Sequence, residues 1–303
     1  MSSVEAAALP VRDTLRLVAF SHSVFALPFA LISAWVAAGG MPDLWTLSGI
    51  VVCAVAARTA AMAFNRLVDR ELDAANPRTA ERELPRGALS PAAVRALVLV
   101  SSGVFVGAAF ALNVLAGYLS PLVLAVVLGY SYTKRFTSMA HLVLGLALGL
   151  APLGAWIAVR GDFEGDLSIP LVLAAAVLTW VAGFDLIYAC QDADFDRGRG
   201  LHSIPARYGV GRALQASSAL HVVTAVLLAL FAARAGLGVG YGAALALAVC
   251  LLVWQHRIVS PSDLSRVDRA FFTLNGWVGV SLFVGVLVDM HLLASSAPGM
   301  GGS

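Results

Sequence analysis

Long apolar runs alternate with short polar segments along most of the chain. Runs of about 17 to 25 apolar residues are long enough to cross a bilayer as helices. The runs lie near residues 15–38, 47–68, 92–112, 114–131, 139–159, 169–190, 213–234, 237–256 and 270–290. This pattern predicts an all-α, multi-pass membrane bundle of nine transmembrane helices. Only Asn113 and Gly117 separate the third run from the fourth, so a bundle of eight is the alternative.

The composition agrees with a membrane protein. Of the 303 residues, 59% are hydrophobic and only 13% are charged, against about 25% charged in a soluble domain. The three cysteines show no spacing that indicates a disulfide or metal framework. Residues 1–13 lack the features of a cleaved secretory signal, and residues 295–303 are expected to be disordered. We therefore expect a single domain that fills residues 1–303.

The basic residues predict the orientation of the bundle. All of the 20 lysines and arginines except Arg58, Arg160 and Arg234 fall on one side of the predicted membrane. Because loops rich in lysine and arginine stay in the cytoplasm, we expect this side and the N-terminus to be cytoplasmic. With nine helices, the C-terminus would be outside.

Polar residues follow the second apolar run at helical spacing. Asn65, Asp69 and Asp73 are four residues apart, so a continuing helix would present all three on one face. Arg58 precedes Asn65 by seven residues on the same stripe. Two carboxylates one turn apart repel each other, so a positive charge is expected between them.

A similar arrangement follows the sixth apolar run. Asp185, Tyr188, Asp192 and Asp196 lie there, and the last two aspartates are again four residues apart. Both acidic segments lie on the predicted cytoplasmic side, as do Lys134 and Arg135 at the end of the fourth run. We therefore expect these segments to line one central cavity that is open to the cytoplasmic face.

Two pairs of carboxylates flanked by cations suit the binding of a diphosphate through magnesium. Mg²⁺ prefers oxygen ligands that are shared between carboxylates and substrate phosphates. The predicted magnesium ligands are Asn65, Asp69, Asp73, Asp192 and Asp196. Four cations are expected to contact phosphate oxygens directly: Arg78, Arg82, Lys134 and Arg135.

Other interpretations apply to each feature taken alone. An aspartate pair after an apolar helix is often a solvated helix end, and arginines there also determine topology. Asp194 and Glu71 lie off the main stripes and are expected to be solvated. A transporter would place its carboxylates near the middle of its helices, and a CDP-alcohol phosphotransferase would need a motif that this sequence lacks. The two like segments on one side therefore favour a diphosphate site.

The two acidic segments resemble the signatures of the UbiA family of intramembrane prenyltransferases. The first resemblance rests on Asn65-Arg-Leu-Val-Asp69-Arg-Glu-Leu-Asp73 with the following residues up to Gly87. The second rests on Tyr188-Ala-Cys-Gln-Asp192-Ala-Asp-Phe-Asp196 and Leu201-His-Ser-Ile-Pro205. The nine runs and the Tyr130-Ser-Tyr-Thr-Lys134-Arg135 loop are also similar, so the resemblance covers nearly the whole chain.

This resemblance implies an enzyme that transfers a prenyl chain from a polyprenyl diphosphate to an acceptor, with Mg²⁺ as cofactor. Asn65 and the four motif aspartates would hold the metal and the diphosphate, while Lys134 and Arg135 would bind the leaving group. The expected partners are polyprenyl diphosphate, a small aromatic acid and the lipid bilayer, with no nucleic acid. The resemblance also implies quinone biosynthesis in a bacterial inner membrane.

The acceptor is expected to carry a carboxylate. The resemblance favours 4-hydroxybenzoate, with 1,4-dihydroxy-6-naphthoate, the acceptor of the futalosine route to menaquinone, as the alternative. Arg58 would bind the acceptor carboxylate, although diphosphate is an equally suitable partner for a buried arginine. Asp185 would accept a proton or bind a hydroxyl group, and Tyr188 would contact substrate.

Overall fold

A computed structural model of the chain describes residues 13–14, 17 and 25–293. Within these residues the chain is helical, and its sole strand-like pairing is an isolated bridge between Ser260 and Asp263. The helices are α1 Leu27–Ala38, α2 Leu44–Val68, α3 Arg70–Ala75, α4 Pro91–Leu112, α5 Val114–Thr133, α6 Ala140–Arg160, α7 Ser168–Ala189, α8 Ala193–Gly198, α9 Ile204–Tyr208, α10 Val210–Ala235, α11 Val239–Arg257 and α12 Asn275–Leu287. Two π-helical turns, Arg269–Leu274 and Val288–Leu293, flank α12.

Eight helical segments in the described part of the chain are long and apolar enough to cross a membrane. They match the second to ninth predicted spans to within a few residues at each end, except that the segment Ser168–Gly198 extends eight residues beyond the predicted span 169–190. In place of the first predicted span, 15–38, the structure describes the 12-residue α1. Most of residues 1–24 and the whole of the predicted tail lie outside the described residues.

Asn113 separates α4 from α5 and so settles the ambiguous boundary in favour of two helices. Its backbone is extended, with φ −163° and ψ 165°, which ends α4. Its side chain accepts a hydrogen bond from the amide of Ala116 at 2.8 Å and so caps α5. Its amide nitrogen also donates to the carbonyl oxygen of Ile157 at 2.9 Å, which ties the turn to α6.

Helix α7 is the most buried of the membrane-length helices and packs between α6 and α10. Trp180 and Phe184 are almost fully buried in its core-facing side, and their ring centroids are 5.0 Å apart. The other long helices expose large apolar side chains, such as Leu122 and Val222, each 65% exposed. Such outward apolar surfaces are expected of helices that face lipid.

Two glycines bring α6 unusually close to α7. A β-carbon on Gly145 would lie 2.3 Å from the carbonyl oxygen of Leu178, and one on Gly149 would lie 2.8 Å from that of Ala174. Small residues four positions apart allow helix backbones to approach in this way inside membranes. The contact fixes the relative position of α6 and α7 where both helices reach the polar end of the bundle.

Candidate active site

A polar cavity of about 320 Å³ lies at one end of the bundle. It is formed where α2, α5 and α7 end and where α6 begins, together with the connections after α2 and α7. We call it the ionic cavity. Its polar lining includes Arg58, Asn65, Arg66, Asp69, Asp73, Asn76, Arg78, Thr79, Arg82, Tyr130, Lys134, His141, Asp185, Tyr188, Asp192, Asp196 and His202.

Asp69 is buried in the wall of the ionic cavity, with 3% of its surface exposed. Lys134 reaches it from the end of α5, with Nζ 2.7 Å from Oδ2. The amide nitrogen of Asn65 donates to the same oxygen at 3.2 Å. The positive charge expected near this carboxylate therefore comes from Lys134.

Asp73 lies one turn further on and pairs with two arginines. Nη1 of Arg82 is 2.6 Å from Oδ1, whereas Nη1 of Arg66 is 3.9 Å from Oδ2. The hydroxyl of Thr79 donates to the backbone carbonyl oxygen of Asp73 at 3.0 Å and holds the following turn in place. The paired carboxylates Asp69 and Asp73 are thus accompanied by separate cations, Lys134 for the first and two arginines for the second.

Asp192 joins the two acidic segments. Arg78 donates to both of its carboxylate oxygens, through Nε at 2.9 Å and through Nη2. Asn76 adds a hydrogen bond at 2.9 Å, and Arg78 also donates to the hydroxyl of Tyr188 at 2.8 Å. Burial would lower the pKa of Arg78, but its contacts with Asp192 and Tyr188 raise that pKa above the ordinary value. The loop after the first segment is thereby fastened to the second segment.

The helix does not continue without interruption through either acidic segment. Asp69 ends α2 with φ −92° and ψ 5° and immediately precedes α3. A short 3₁₀ turn, Cys190–Asp192, likewise separates α7 from α8. At the first break the amides of Asp69 and Asp73 still bond to carbonyl oxygens four residues earlier, so the chain bends but Asn65, Asp69 and Asp73 all stay on the cavity wall.

The carboxylates offer oxygen atoms that a cation could use. Oδ1 of Asp69 and Oδ2 of Asp73 are buried and have no hydrogen-bond partner among the described residues. No group of three or more His, Cys, Asp or Glu residues in this part of the chain is arranged to hold a metal by itself. The donors fit a hard cation that takes part of its coordination from phosphate oxygens.

The other predicted residues take distinct places. Asp196 lies on α8 beside Ser203 and lines the same cavity. Asp185 lies on α7, and its Oδ2 is 2.7 Å from Nδ1 of His141. Arg58 lies on α2 and lines the cavity two turns before Asn65.

Arg135, which is predicted to contact phosphate directly, is not among the residues that line the ionic cavity, but it lies beside one of them, Asp69. Its guanidinium donates to the backbone carbonyl oxygen of Val68 at 2.5 Å and lies 3.6 Å from Oδ1 of Asp69. Adjacent residues at a helix end point in different directions, so only Lys134 of this pair faces the cavity.

Sequence reasoning missed Arg66, Asn76 and His141 as members of the site. Arg66 was counted only among the topology-determining cations, although it is one residue after Asn65. His141 has no motif around it, and its contact with Asp185 depends on the packing of α6 against α7. The exposure of Glu71 and Asp194 is confirmed, since their side chains are 90% and 97% exposed.

A second cavity, of about 380 Å³, lies deeper among α2, α4, α5 and α6. We call it the apolar cavity. Its lining includes Cys53, Ala57, Phe105, Leu112, Ser120, Val123, Leu146, Leu150 and Gly154, and no described residue that lines it is charged. Three of its four helices also line the ionic cavity, so the two cavities are formed largely by the same helices.

Comparison with known proteins gives one consistent result. Residues 26–277 match the model of the UbiA prenyltransferase family. The 4-hydroxybenzoate octaprenyltransferase of Xanthomonas oryzae pv. oryzae (strain PXO99A) is 34% identical over 257 residues, which cover 84% of this chain and 83% of that protein.

Solved structures show the same fold. The apo structure of a UbiA homolog from Aeropyrum pernix K1 superposes with a TM-score of 0.81 at 38% identity, covering 89% of this chain and 98% of the other. A UbiA homolog from Archaeoglobus fulgidus bound to GPP and Mg²⁺ has a TM-score of 0.66 at 19% identity, covering 89% of this chain and 99% of the other. This second likeness supports the fold alone.

Proposed function

Since the chain belongs to the UbiA prenyltransferase family, we propose that this integral membrane prenyltransferase transfers a polyprenyl chain from polyprenyl diphosphate to 4-hydroxybenzoate. One observation carries the proposal. Two acidic segments separated by more than a hundred residues meet on one cavity, with Lys134, Arg78 and Arg82 between their carboxylates. This balance of charges suits a diphosphate accompanied by a divalent cation.

The metal in this proposal is Mg²⁺, held by Asn65, Asp69, Asp73, Asp192 and Asp196 together with diphosphate oxygens. Mg²⁺, when bound, neutralises charge on the diphosphate and favours its departure. The buried oxygens of Asp69 and Asp73 that accept no hydrogen bond support this assignment. So does the GPP and Mg²⁺ described for the Archaeoglobus homolog.

The cations that now pair with the aspartates would turn to the diphosphate when it enters. Lys134, Arg78 and Arg82 each donate to a carboxylate that the metal would also engage. Fixed cations stabilise the charge that develops on a leaving group. Tyr188 contributes by orienting Arg78, and Arg135 contributes by supporting Asp69 from outside the cavity.

The acceptor is proposed to bind deeper, with its carboxylate at Arg58 and its hydroxyl group near Asp185. Arg58 is half-buried between the ionic cavity and the level of Ala57, which lines the apolar cavity. An anion at this depth offsets the cost of a buried guanidinium. The aromatic walls, such as Phe271 stacked 4.4 Å from the Tyr188 ring, keep water away from a reactive allylic cation.

The polyprenyl chain is proposed to extend from the ionic cavity into the apolar cavity. Met62 of α2 lines the first cavity, and Ala57 and Cys53, about one and two turns earlier, line the second. An uncharged wall suits an isoprenoid chain, because apolar surface gains free energy on leaving water.

The membrane arrangement is proposed to be a single domain over residues 1–303 with nine spans, the first made by α1 and the residues before it. The N-terminus and the ionic cavity would face the cytoplasm of a bacterial inner membrane. The concentration of lysine and arginine on the side of the ionic cavity supports this orientation.

The direct test is an assay of membranes that contain this protein, with octaprenyl diphosphate, Mg²⁺ and either 4-hydroxybenzoate or 1,4-dihydroxy-6-naphthoate. We expect prenylated 4-hydroxybenzoate, and none when the Mg²⁺ is chelated. Product from the naphthoate alone would show that 1,4-dihydroxy-6-naphthoate is the acceptor and would place the enzyme in menaquinone synthesis. Product from neither acid would overturn the proposed aromatic acceptor.

A further inference from the structure

His141 lies in the wall of the ionic cavity, beside Asp185. It is on the first turn of α6, with 5% of its surface exposed. We propose that Nε2 of His141 binds the hydroxyl group of the aromatic acceptor and takes its proton during prenyl transfer. Asp185 serves as the positioning residue that holds the imidazole. This inference rests on the proposed aromatic acceptor.

The position of His141 is fixed by helix packing. Gly145 and Gly149 follow it on the same face of α6 and bring that face against the backbone of α7. As a result, Nδ1 of His141 meets Oδ2 of Asp185 at 2.7 Å. The imidazole is therefore held by a hydrogen bond on one side and by a rigid helix pair beneath it.

The hydrogen bond to Asp185 decides what Nε2 can do. A carboxylate only accepts, so Nδ1 carries the proton. In the neutral ring Nε2 then presents a lone pair. This atom is buried and has no hydrogen-bond partner among the described residues. A buried acceptor without a donor is unusual in a folded protein, and it belongs here to a residue that lines the cavity proposed to hold the substrate.

A second buried histidine differs from His141, because both of its ring nitrogens have hydrogen-bond partners. His221, on α10, hydrogen-bonds to His256 through Nδ1 at 2.8 Å and to the carbonyl oxygen of Trp180 through Nε2 at 3.2 Å. Both of its nitrogens have partners within the bundle. His221 therefore has a complete structural role, whereas His141 has one nitrogen left for a ligand.

The chemistry of the free lone pair selects the ligand group. Diphosphate and carboxylate have no proton to donate at neutral pH, so they cannot satisfy Nε2 of a neutral imidazole. A phenolic hydroxyl can donate, and its proton becomes more acidic as the ring gives electrons to the allylic carbon. The acceptor hydroxyl is therefore the group that fits His141.

The proposed step balances as follows. The bond between the ring carbon and the prenyl carbon forms while the bond from the prenyl carbon to the diphosphate oxygen breaks. Nε2 takes the hydroxyl proton, and the ring becomes a neutral dienone. The ring carbon then loses its hydrogen as a proton to the departed diphosphate, and His141 returns its proton to the oxygen. The products are the prenylated phenol and protonated diphosphate.

The test compares ligand binding with turnover in the purified full-length protein. The probes are 4-hydroxybenzoate and 4-methoxybenzoate, which has no proton to donate. In His141→Leu we expect 4-hydroxybenzoate to bind about 10-fold more weakly, with the affinity for 4-methoxybenzoate changed less than about 2-fold. Equal weakening of both ligands would overturn the inference, because it would show a packing role.

His141→Gln gives a second and independent measurement. Its amide oxygen can accept the hydroxyl hydrogen bond but cannot take the proton. We expect the affinity for 4-hydroxybenzoate to stay within about 3-fold and kcat to fall by about 100-fold, as for the loss of a general base. Unchanged kcat would overturn the inference even if His141→Leu does not fold.

Leu144→Ala is the matched control. Leu144 lines the same wall one turn along α6 and has no polar atom in its side chain, so its loss should affect both ligands alike. The wild-type assay separates the two proposals. If the wild-type protein prenylates no hydroxylated acid, the proposed function fails; if it does so and the His141 variants behave as the wild type, only the present inference fails.

Discussion

The ionic cavity and the apolar cavity share α2, α5 and α6 but differ in every chemical respect. The ionic cavity carries five aspartates and several cations on its wall, whereas the apolar cavity has no charged side chain among its described lining residues. The change occurs within about two turns of α2, between Ala57 and Asn65. One set of helices can therefore hold a charged head group at its ends and an apolar chain along its middle.

The difference follows from where water can reach. Carboxylates at the helix ends pair with cations and can be partly hydrated, so their burial is compensated. The same groups one or two turns deeper would have only lipid and apolar side chains around them, which is costly. Arg58, near the transition, is the exception. Its position supports a ligand that is charged at one end and apolar or aromatic at the other.

The largest effect is expected from removing a charge in the ionic cavity. Asp192→Asn preserves the size of the side chain but removes the negative charge that pairs with Arg78 and would bind the proposed metal. We expect kcat to fall by about 100- to 1,000-fold, comparable to the loss of a strong electrostatic contact in other enzymes. The measurement is prenyl transfer by purified protein at saturating Mg²⁺.

Asp194→Asn is the matched control for this prediction. Asp194 is two residues away and 97% exposed, so its loss should leave kcat within about 2-fold, as for a solvated charge. If Asp192→Asn and Asp194→Asn had similar activity, a carboxylate of the cavity would matter no more for catalysis than one on the surface. The whole assignment of the metal ligands would then be wrong.

A smaller and more selective effect is expected at the transition between the cavities. Arg58→Ala removes the proposed partner of the acceptor carboxylate. The KM for 4-hydroxybenzoate should rise by about 10-fold or more, since a hydrogen bond to a charged group contributes about 1.5–3 kcal/mol. The KM for the diphosphate should change little. Steady-state kinetics with each substrate varied in turn makes this comparison.

The opposite pattern would also be informative. If the KM for the diphosphate rose as much as that for the acid, Arg58 would belong with Lys134 and Arg82 among the diphosphate contacts. The boundary between head-group and acceptor sites would then lie deeper than Arg58.

Much of this organisation could be predicted from the sequence because it is local. Apolar runs of membrane length predict the eight helices. The four-residue spacing of Asn65, Asp69 and Asp73 predicts the face that lines the cavity. Each of these features is decided by residues within one or two helix turns, where periodicity and side-chain type are sufficient.

The rest depends on contacts between distant segments. The pairing of His141 with Asp185 spans 44 residues and requires the close approach at Gly145, which no local pattern reveals. Arg135 follows Lys134 directly in the sequence, but the end of α5 turns its guanidinium towards the carbonyl oxygen of Val68, a contact that the sequence does not reveal. The breaks at Asp69 and Asp192 were missed because an apolar helix pattern does not show where the backbone bends.

The smallest effect is expected in the apolar cavity. Gly154 lines this cavity, and a β-carbon added to it meets no atom within 4 Å. Gly154→Leu should therefore fold normally and fill space that a long polyprenyl chain would use. We expect kcat/KM for octaprenyl diphosphate to fall by about 5-fold, as for about 1 kcal/mol of overpacking, while kcat/KM for geranyl diphosphate stays nearly constant.

Gly107→Leu provides the control, because Gly107 is an exposed glycine of α4 whose β-carbon would also meet no atom within 4 Å. Both substitutions replace a helical glycine by leucine and should raise helix stability by about the same amount, roughly 1 kcal/mol. Any difference between the two variants in the ratio of kcat/KM for the long donor to kcat/KM for the short donor then reports on the cavity alone. If both variants show the wild-type ratio of kcat/KM for octaprenyl diphosphate to kcat/KM for geranyl diphosphate, the polyprenyl chain leaves the ionic cavity by another route. The apolar cavity would then have no part in binding the donor.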